Sequence, residues 1–225
     1  MSVSMVDYGY NQASRAFGVA TKSVDTLIKH GKVIEAFNSI SDVFFSTKMP
    51  YADTFKELFK TLKGCNALAT LPQQAITTAR NVYCFVTSLT LNNMKFCIGS
   101  AAGLINKAYD AASFLEKEIA VPFFKGVSEK WKATHFQAVG VGAAIRFMNA
   151  APAAMYSLSH ESLRDSLGSY RSGPIFQTIE SLSSMVFAGS ILTGAGAQIA
   201  TAASAIGAFT KGAEYYWTGA YNKSW

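Results

Sequence analysis

Thirty consecutive residues, 181–210, carry no charge, and they contain the stretch SILTGAGAQIATAASAIGAF. A run of this length on a solvated surface would leave a large apolar area in water. Three environments accept it. A bilayer does, since about 20 apolar residues span one. The interior of a helical bundle does. A nucleotide-binding strand–turn–helix also opens on glycines of this kind.

The segment TGAGAQIA resembles the glycine loop of short-chain dehydrogenases and other Rossmann enzymes. Gly194 and Gly196 supply two of its three glycines, Ile199 or Ala200 stands at the third, and Glu214 lies where the ribose-binding acid is expected. The resemblance implies a parallel α/β sheet that starts here. Yet the motif belongs to the first βα unit of such a sheet, and only residues 197–225 follow. What precedes it has helical periodicity, so the run is assigned to helix and no dinucleotide or other cofactor is expected.

The bilayer and the bundle remain. Lys211 ends the run, and Tyr215, Tyr216, Trp217, Tyr221 and Trp225 follow. Basic and aromatic residues at the end of an apolar stretch suit a membrane interface, where they would act as an aromatic anchor. Written in sevens, one position holds Met185, Leu192, Ile199 and Ile206, and the position three further on holds Ala188, Ala195, Ala202 and Phe209. Large residues alternating with alanine form a helix-packing seam that lets a second helix approach closely. The opposite face carries Ser190, Ala197 and Ser204, too small and polar to favour lipid. Both environments predict one long helix from about 175 to about 217, packed on protein on at least two sides.

The rest of the composition agrees with this tension. Half of the 225 residues are hydrophobic and 15% are charged, against about 25% charged in an ordinary soluble domain. The surface is therefore covered by lipid, by copies of the chain, or by unusually deep burial. The net charge of +6 is spread thinly, although no acid falls between Glu57 and Asp110. No dense basic stripe or nucleic-acid module exists, so nucleic acid is not an expected partner. Cys65, Cys84 and Cys97 form no metal or disulfide pattern and are expected as buried free thiols. The first residues lack an apolar core, so a cleavable secretory signal is not expected and the chain is placed on a membrane or in the cytoplasm.

Helical spacing recurs along the chain. Phe17, Val24, Leu27 and Ile28 mark a first helix, and Val33, Ile34, Phe37, Ile40 and Phe44 a second, with a break at residues 29–31. Residues 51–64, YADTFKELFKTLKG, form the clearest amphipathic pattern. Phe55, Leu58, Phe59 and Leu62 share one face, while Lys56, Lys60 and Lys63 lie on the other, and Gly64 is positioned to end the helix. This helix is a candidate interaction surface for a membrane or a partner. Pro72 opens the next helix, Asn92-Asn93 breaks it, and Pro122 and Pro152 interrupt later ones. Val82–Leu91 has strand-like composition but no partner strand, and is assigned to helix.

Catalytic patterns are missing. His30, His135 and His160 are scattered, and no G-x-S-x-G, Walker A or H-E-x-x-H motif occurs. No paired carboxylates appear, and no metal or catalytic residues are assigned. The sequence therefore predicts an all-α chain, a single domain over 1–225 with a sub-boundary near 159–174. Seven or eight helices surround the long small-residue-rich apolar helix. The expected role is a non-catalytic protein associated with a membrane and acting through helix–helix packing. The alternative is a soluble structural subunit or effector-type adaptor. Its partners are lipid or protein, including copies of itself in a homo-oligomer.

Overall fold

The computed structural model describes residues 27–28, 30–47, 49–160 and 172–222. Most of the helix expected over Phe17–Ile28, most of the sub-boundary expected near 159–174, and Trp225 lie outside them. The described residues are almost wholly helical and contain no strand, so the all-α class is correct. In chain order they form α1 (30–45), α2 (Ala52–Thr87), α3 (Leu91–Lys117), a 3-10 turn (Pro122–Phe124), α4 (Val127–Lys130), α5 (Lys132–His160), α6 (Ser172–Thr193) and α7 (Ala197–Asn222). They fall into two compact units. One takes 27–28 and Asp53–Gly142, the other the described residues of 30–52 together with those of 143–222.

Several expected boundaries move. No break occurs at Gly31, which lies within α1. The amphipathic segment does not stop at Gly64, and Pro72 opens no new helix: α2 runs through both for 36 residues. Gly64 is placed by packing rather than by capping. A Cβ there would fall on the ring and Cβ of Phe114 from α3. Pro72 removes one backbone donor, a loss that a helix continuous on both sides accommodates. α5 passes Pro152 in the same way. The break expected at Asn92-Asn93 is real but lies slightly earlier, at Ser88–Thr90. Pro122 does interrupt the chain, just after Ala120 turns α3 off with a left-handed φ of 56°.

The largest correction concerns the uncharged run. It is two helices, not one. Gly194 and Gly196 take φ of 68° and 104°, values that glycine adopts without steric cost. The chain reverses there, between α6 and α7, and the two helices pack closely together. The preceding residues are helical, so the strand required by a nucleotide-binding loop is absent.

In the first unit, α2 and α3 run antiparallel. Gln74 Nε2 and Thr78 Oγ1 each donate to the Ser100 carbonyl at 3.0 Å, and Asn81 Nδ2 donates to the Phe96 carbonyl at 3.3 Å. The start of α5 lies against α3, where Gly142 faces Ala102 and His135 stacks on Tyr109 with ring centroids 4.1 Å apart. In the second unit, α1 packs on α7. Phe37 meets Phe209 edge-to-face at 4.7 Å, and Gly212 leaves room for Val33.

Among the described residues, the buried apolar side chains are nearly all alanine, joined by Ile28 and Ile175, and the largest side chain that is completely buried is Ser181. Small residues let helix backbones approach closely, and dispersion over that contact replaces the burial of large side chains. The expected outcome of Gly64→Ala is a loss of about 1–3 kcal/mol, because Phe114 and the α3 backbone must shift. Gly189, with nothing within 4 Å of an added Cβ, is the control: Gly189→Ala is expected to stabilise by ~0.5–1 kcal/mol through helix propensity. Thermal unfolding followed by circular dichroism measures both.

Candidate functional site

The α6–α7 hairpin orders its residues in an unusual way. Ser181, Ser183, Ala188 and Ser190 of α6 are buried, as are Ala200, Ala203 and Ala205 of α7. Gly207 sits opposite Ser183. Two of the buried hydroxyls bond within their own helix, Ser183 Oγ donating to the Ile179 carbonyl and Ser190 Oγ to the Phe187 carbonyl, both at 2.8 Å, while Ser181 Oγ is buried without a hydrogen-bond partner. The large side chains point away. Leu192, Ile199 and Ile206 are 43%, 49% and 51% exposed, and Ile179, Leu182 and Val186 are also exposed. A water-soluble hairpin places such residues inside. Here the interior is small and the exterior is apolar.

The expected seam is thus divided. Met185, Ala188 and Leu192 belong to α6, Ala195 to the turn, and Ile199, Ala202, Ile206 and Phe209 to α7. Ala188 is buried and Met185 and Ala202 are half-buried, while the seam's large residues Leu192, Ile199 and Ile206 face outward. Phe209 meets Phe37 of α1. Of the expected aromatic anchor, Tyr215, Tyr216, Trp217 and Tyr221 lie on the last turns of α7. Charge collects at the open end of the hairpin. Lys211 Nζ lies 2.9 Å from Glu180 Oε1, and Gln177 Nε2 donates to Glu214 Oε1 at 2.9 Å. Both members of the ion pair are largely shielded, Glu180 more than Lys211.

The amphipathic residues lie on the first turns of α2. Phe55 and Leu58 are exposed, Phe59 and Leu62 half-buried, and Phe55 stacks on Phe59 at 6.2 Å. Lys60 pairs with Glu118 at 2.7 Å and Lys63 with Asp110 at 3.2 Å, both acids lying at the far end of α3. Lys60 also reaches Glu57 at 3.3 Å. Two of the three lysines are therefore engaged within the first unit. Lys56 is exposed.

Sequence reasoning missed a polar clasp at the turn after α3. Glu116 accepts the Gly126 N–H on Oε1 at 2.6 Å and the Ser128 N–H on Oε2 at 2.8 Å. Gly126 holds φ of 79° at the start of α4. These donors, that of Ser128 foremost, hold the Glu116 carboxyl below its ordinary range. Tyr109 donates to the Ser128 carbonyl at 2.9 Å, and burial pushes its hydroxyl pKa up. His135 covers the Tyr109 ring, with Nδ1 buried and without a hydrogen-bond partner. The Glu116 pattern joins residues ten and twelve positions apart, so no short motif announces it. Each group in the clasp serves packing or capping. Among the described residues, no three of His, Cys, Asp and Glu converge as metal ligands. The cysteines are free thiols, with Cys84 and Cys97 half-buried. Cys65 is exposed, contrary to the expectation of burial, because it stands beside Gly64 on the turn of α2 facing away from Asn66 and Ala67.

No family model, curated protein or solved structure matches the chain. The site is therefore defined by its own geometry.

Burial holds the His135 pKa below its ordinary value, Asp110 opposing the shift and Lys63 adding to it. The folded pKa lies under the unfolded one of about 6.5. The neutral ring's contribution to stability is complete above about pH 6.5 and is lost as pH falls through the depressed folded value. Urea midpoints measured from pH 8 downward, at roughly half-unit steps, are expected to decline in that window. His135→Phe is expected to flatten the decline there, leaving the loss from Glu116 at lower pH.

Proposed function

We propose that the chain is a non-catalytic helical protein associated with a membrane and acting through helix–helix packing. The observation that carries this reading is the α6–α7 hairpin, whose small residues lie inside while Leu192, Ile199 and Ile206 lie outside. Lipid removes the hydrophobic force between helices, so close packing of Gly, Ala and Ser becomes their main contact and large aliphatic residues face the tails. Gly173–Thr193 is long and apolar enough to cross a membrane, and less than a third of its apolar window is buried. Lys132–His160 passes the same test of length and composition, although Arg146 and Pro152 interrupt it.

The hairpin's charges are sorted along its axis. From the Glu180–Lys211 pair to the turn, each arm is uncharged for 13–14 residues, about 20 Å at 1.5 Å per residue. This is shorter than the ~30 Å hydrocarbon core. A hairpin entering turn-first keeps the pair near the headgroups if it stops part-way. If it crosses, the pair lies inside the core, where mutual neutralisation reduces its cost. The role proposed for the chain is packing and anchoring.

The test is fractionation of the expressed chain, with alkaline carbonate and high-salt washes of the membrane pool. Retention through both is expected. Ile199→Lys with Ile206→Lys is expected to release the chain, since each lysine opposes burial in hydrocarbon by about 3 kcal/mol. A parent chain that is wholly soluble and runs as a defined oligomer would overturn the membrane reading. The exposed aliphatic face would then be the contact of a soluble self-assembling subunit.

A further inference from the structure

The first unit carries a second apolar tip, remote in sequence from the α6–α7 hairpin. It is the turn between α2 and α3. Val86, Leu89 and Leu91 are 69%, 79% and 66% exposed, and Phe96 and Ile98 behind them are exposed as well. No charged residue occurs from Asn81 to Met94. Helix–helix turns in water ordinarily gather polar and charged residues. This one carries no charge, and it exposes Leu89 and Leu91 among Thr87, Ser88, Thr90, Asn92 and Asn93.

Its backbone is also closed in an uncommon way. Asn93 Nδ2 donates to both the Cys84 carbonyl, at 3.2 Å, and the Ser88 carbonyl, at 2.9 Å. Thr87 Oγ1 donates to the Tyr83 carbonyl at 2.9 Å. The Thr90 hydroxyl accepts the Asn93 N–H at 3.1 Å, and the Thr90 N–H reaches the Ser88 carbonyl at 2.8 Å. A turn that enters a region poor in water must satisfy these groups internally, because each one left open there costs several kcal/mol in water's absence. Thr87, Thr90 and Asn93 meet part of this need through their own side chains.

Charge supplies the third observation. Arg80 lies seven residues before the end of α2, and Lys95 four residues after the start of α3. Along the helices these place cations ~10 Å and ~6 Å behind the tip. No acid occurs between Glu57 and Asp110, so nothing in this half of the hairpin's sequence opposes an anionic surface. The depth of the apolar cap matches the ~5–10 Å to which interfacial segments sink at the headgroup–acyl boundary.

We infer that the α2–α3 turn is a second membrane contact, inserting Val86, Leu89 and Leu91 shallowly into an anionic leaflet with Lys95 at the headgroups. The inference rests on the membrane association proposed above but uses a different unit and a different chemistry. The α6–α7 hairpin needs only hydrocarbon, whereas this tip needs anionic lipid.

The experiment is reconstitution of the full chain into phosphatidylcholine vesicles with and without phosphatidylserine. An environment-sensitive nitrobenzoxadiazole label is placed at Leu89→Cys or, as reference, at Leu192→Cys, with the three native cysteines changed to Ser. The label at position 89 is expected to brighten and shift to the blue only with phosphatidylserine. Lipid brominated near the headgroup end of its tails should quench it more than lipid brominated at the tail ends. Lys95→Ala should weaken the response about fivefold, the value of one surface cation. No response at 89 while 192 responds would overturn this inference and leave the α6–α7 reading intact. Silence at both positions would overturn both. A response at 89 that follows protein concentration without vesicles would overturn it in favour of contact with a second copy. The chain with its native cysteines gives an independent readout that does not depend on the Ser changes. Its preference for anionic over neutral vesicles in flotation is expected to vanish in Leu89→Asp/Leu91→Asp. An undiminished preference in that variant would overturn the inference.

Discussion

Close approach of helices at alanine, serine and glycine is the contact on which each unit depends. Gly64 admits Phe114, Gly103 admits Gln74, and Gly212 admits Val33. In each case one helix gives up a side chain so that its neighbour can lie nearer. A buried alanine removes little apolar area from water, and the hydrophobic gain scales with that area. Such an interior therefore leans on dispersion and on hydrogen bonds between helices, such as those of Gln74 and Thr78 to Ser100. It has a geometric corollary. Large apolar side chains that do not fit between close backbones must lie outside them, and Leu192, Ile199, Val86 and Leu89 do.

The two hairpins share an axial order although they belong to different units. At the open end of α2–α3 stand the ion pairs of Lys60 with Glu118 and Lys63 with Asp110. At the open end of α6–α7 stand Lys211 with Glu180 and Gln177 with Glu214. The middle of each hairpin is joined by uncharged groups, and each tip is uncharged. Ion pairs at the open ends fix the antiparallel register, since opposite charges meet in only one alignment of the helices. The α2–α3 pairs, whose lysines are exposed, stabilise little by themselves. Their value is positional.

How far the sequence carried depended on which residues had two readings. The helical class was legible because Phe55, Leu58, Phe59 and Leu62 repeat at helical spacing whatever they touch. Boundaries were less so. Gly64 has the spacing of a helix terminator, yet it serves the Phe114 contact, and only a second helix reveals that. The turn at Gly194–Gly196 was hidden for the opposite reason. Gly194 and Gly196, placed inside one long helix by the sequence reading, were needed for positive φ, and no charged residue marked the turn. The sevenfold register of Met185, Leu192, Ile199 and Ile206 was read on the assumption that large residues face inward. In a small-residue hairpin they need not. The Glu116 clasp was illegible because its partners are backbone N–H groups of Gly126 and Ser128, which no side-chain pattern encodes.

The axial sorting of charge also bears on what surrounds the hairpins. Water touches the tip of a soluble hairpin as freely as its base, so solubility gives no reason to keep charge from one end. A partner packed along the side selects an apolar stripe, but it leaves the turn in solvent, where polar residues are favoured. A medium that changes from wet to dry along the hairpin axis does sort charge, with ions at the wet end and internally satisfied turns at the dry end. The α2–α3 turn is uncharged from Asn81 to Met94 and is closed in part by Asn93 and Thr90, with Leu89 and Leu91 exposed beside them. The α6–α7 turn has the same tendency: Thr193 Oγ1 donates to the Gly189 carbonyl at 2.8 Å and the Ala195 N–H to the Ser190 carbonyl at 3.0 Å. Two turns unrelated in sequence thus reach an uncharged tip by different residues, which is what the proposed membrane association requires of each unit taken by itself.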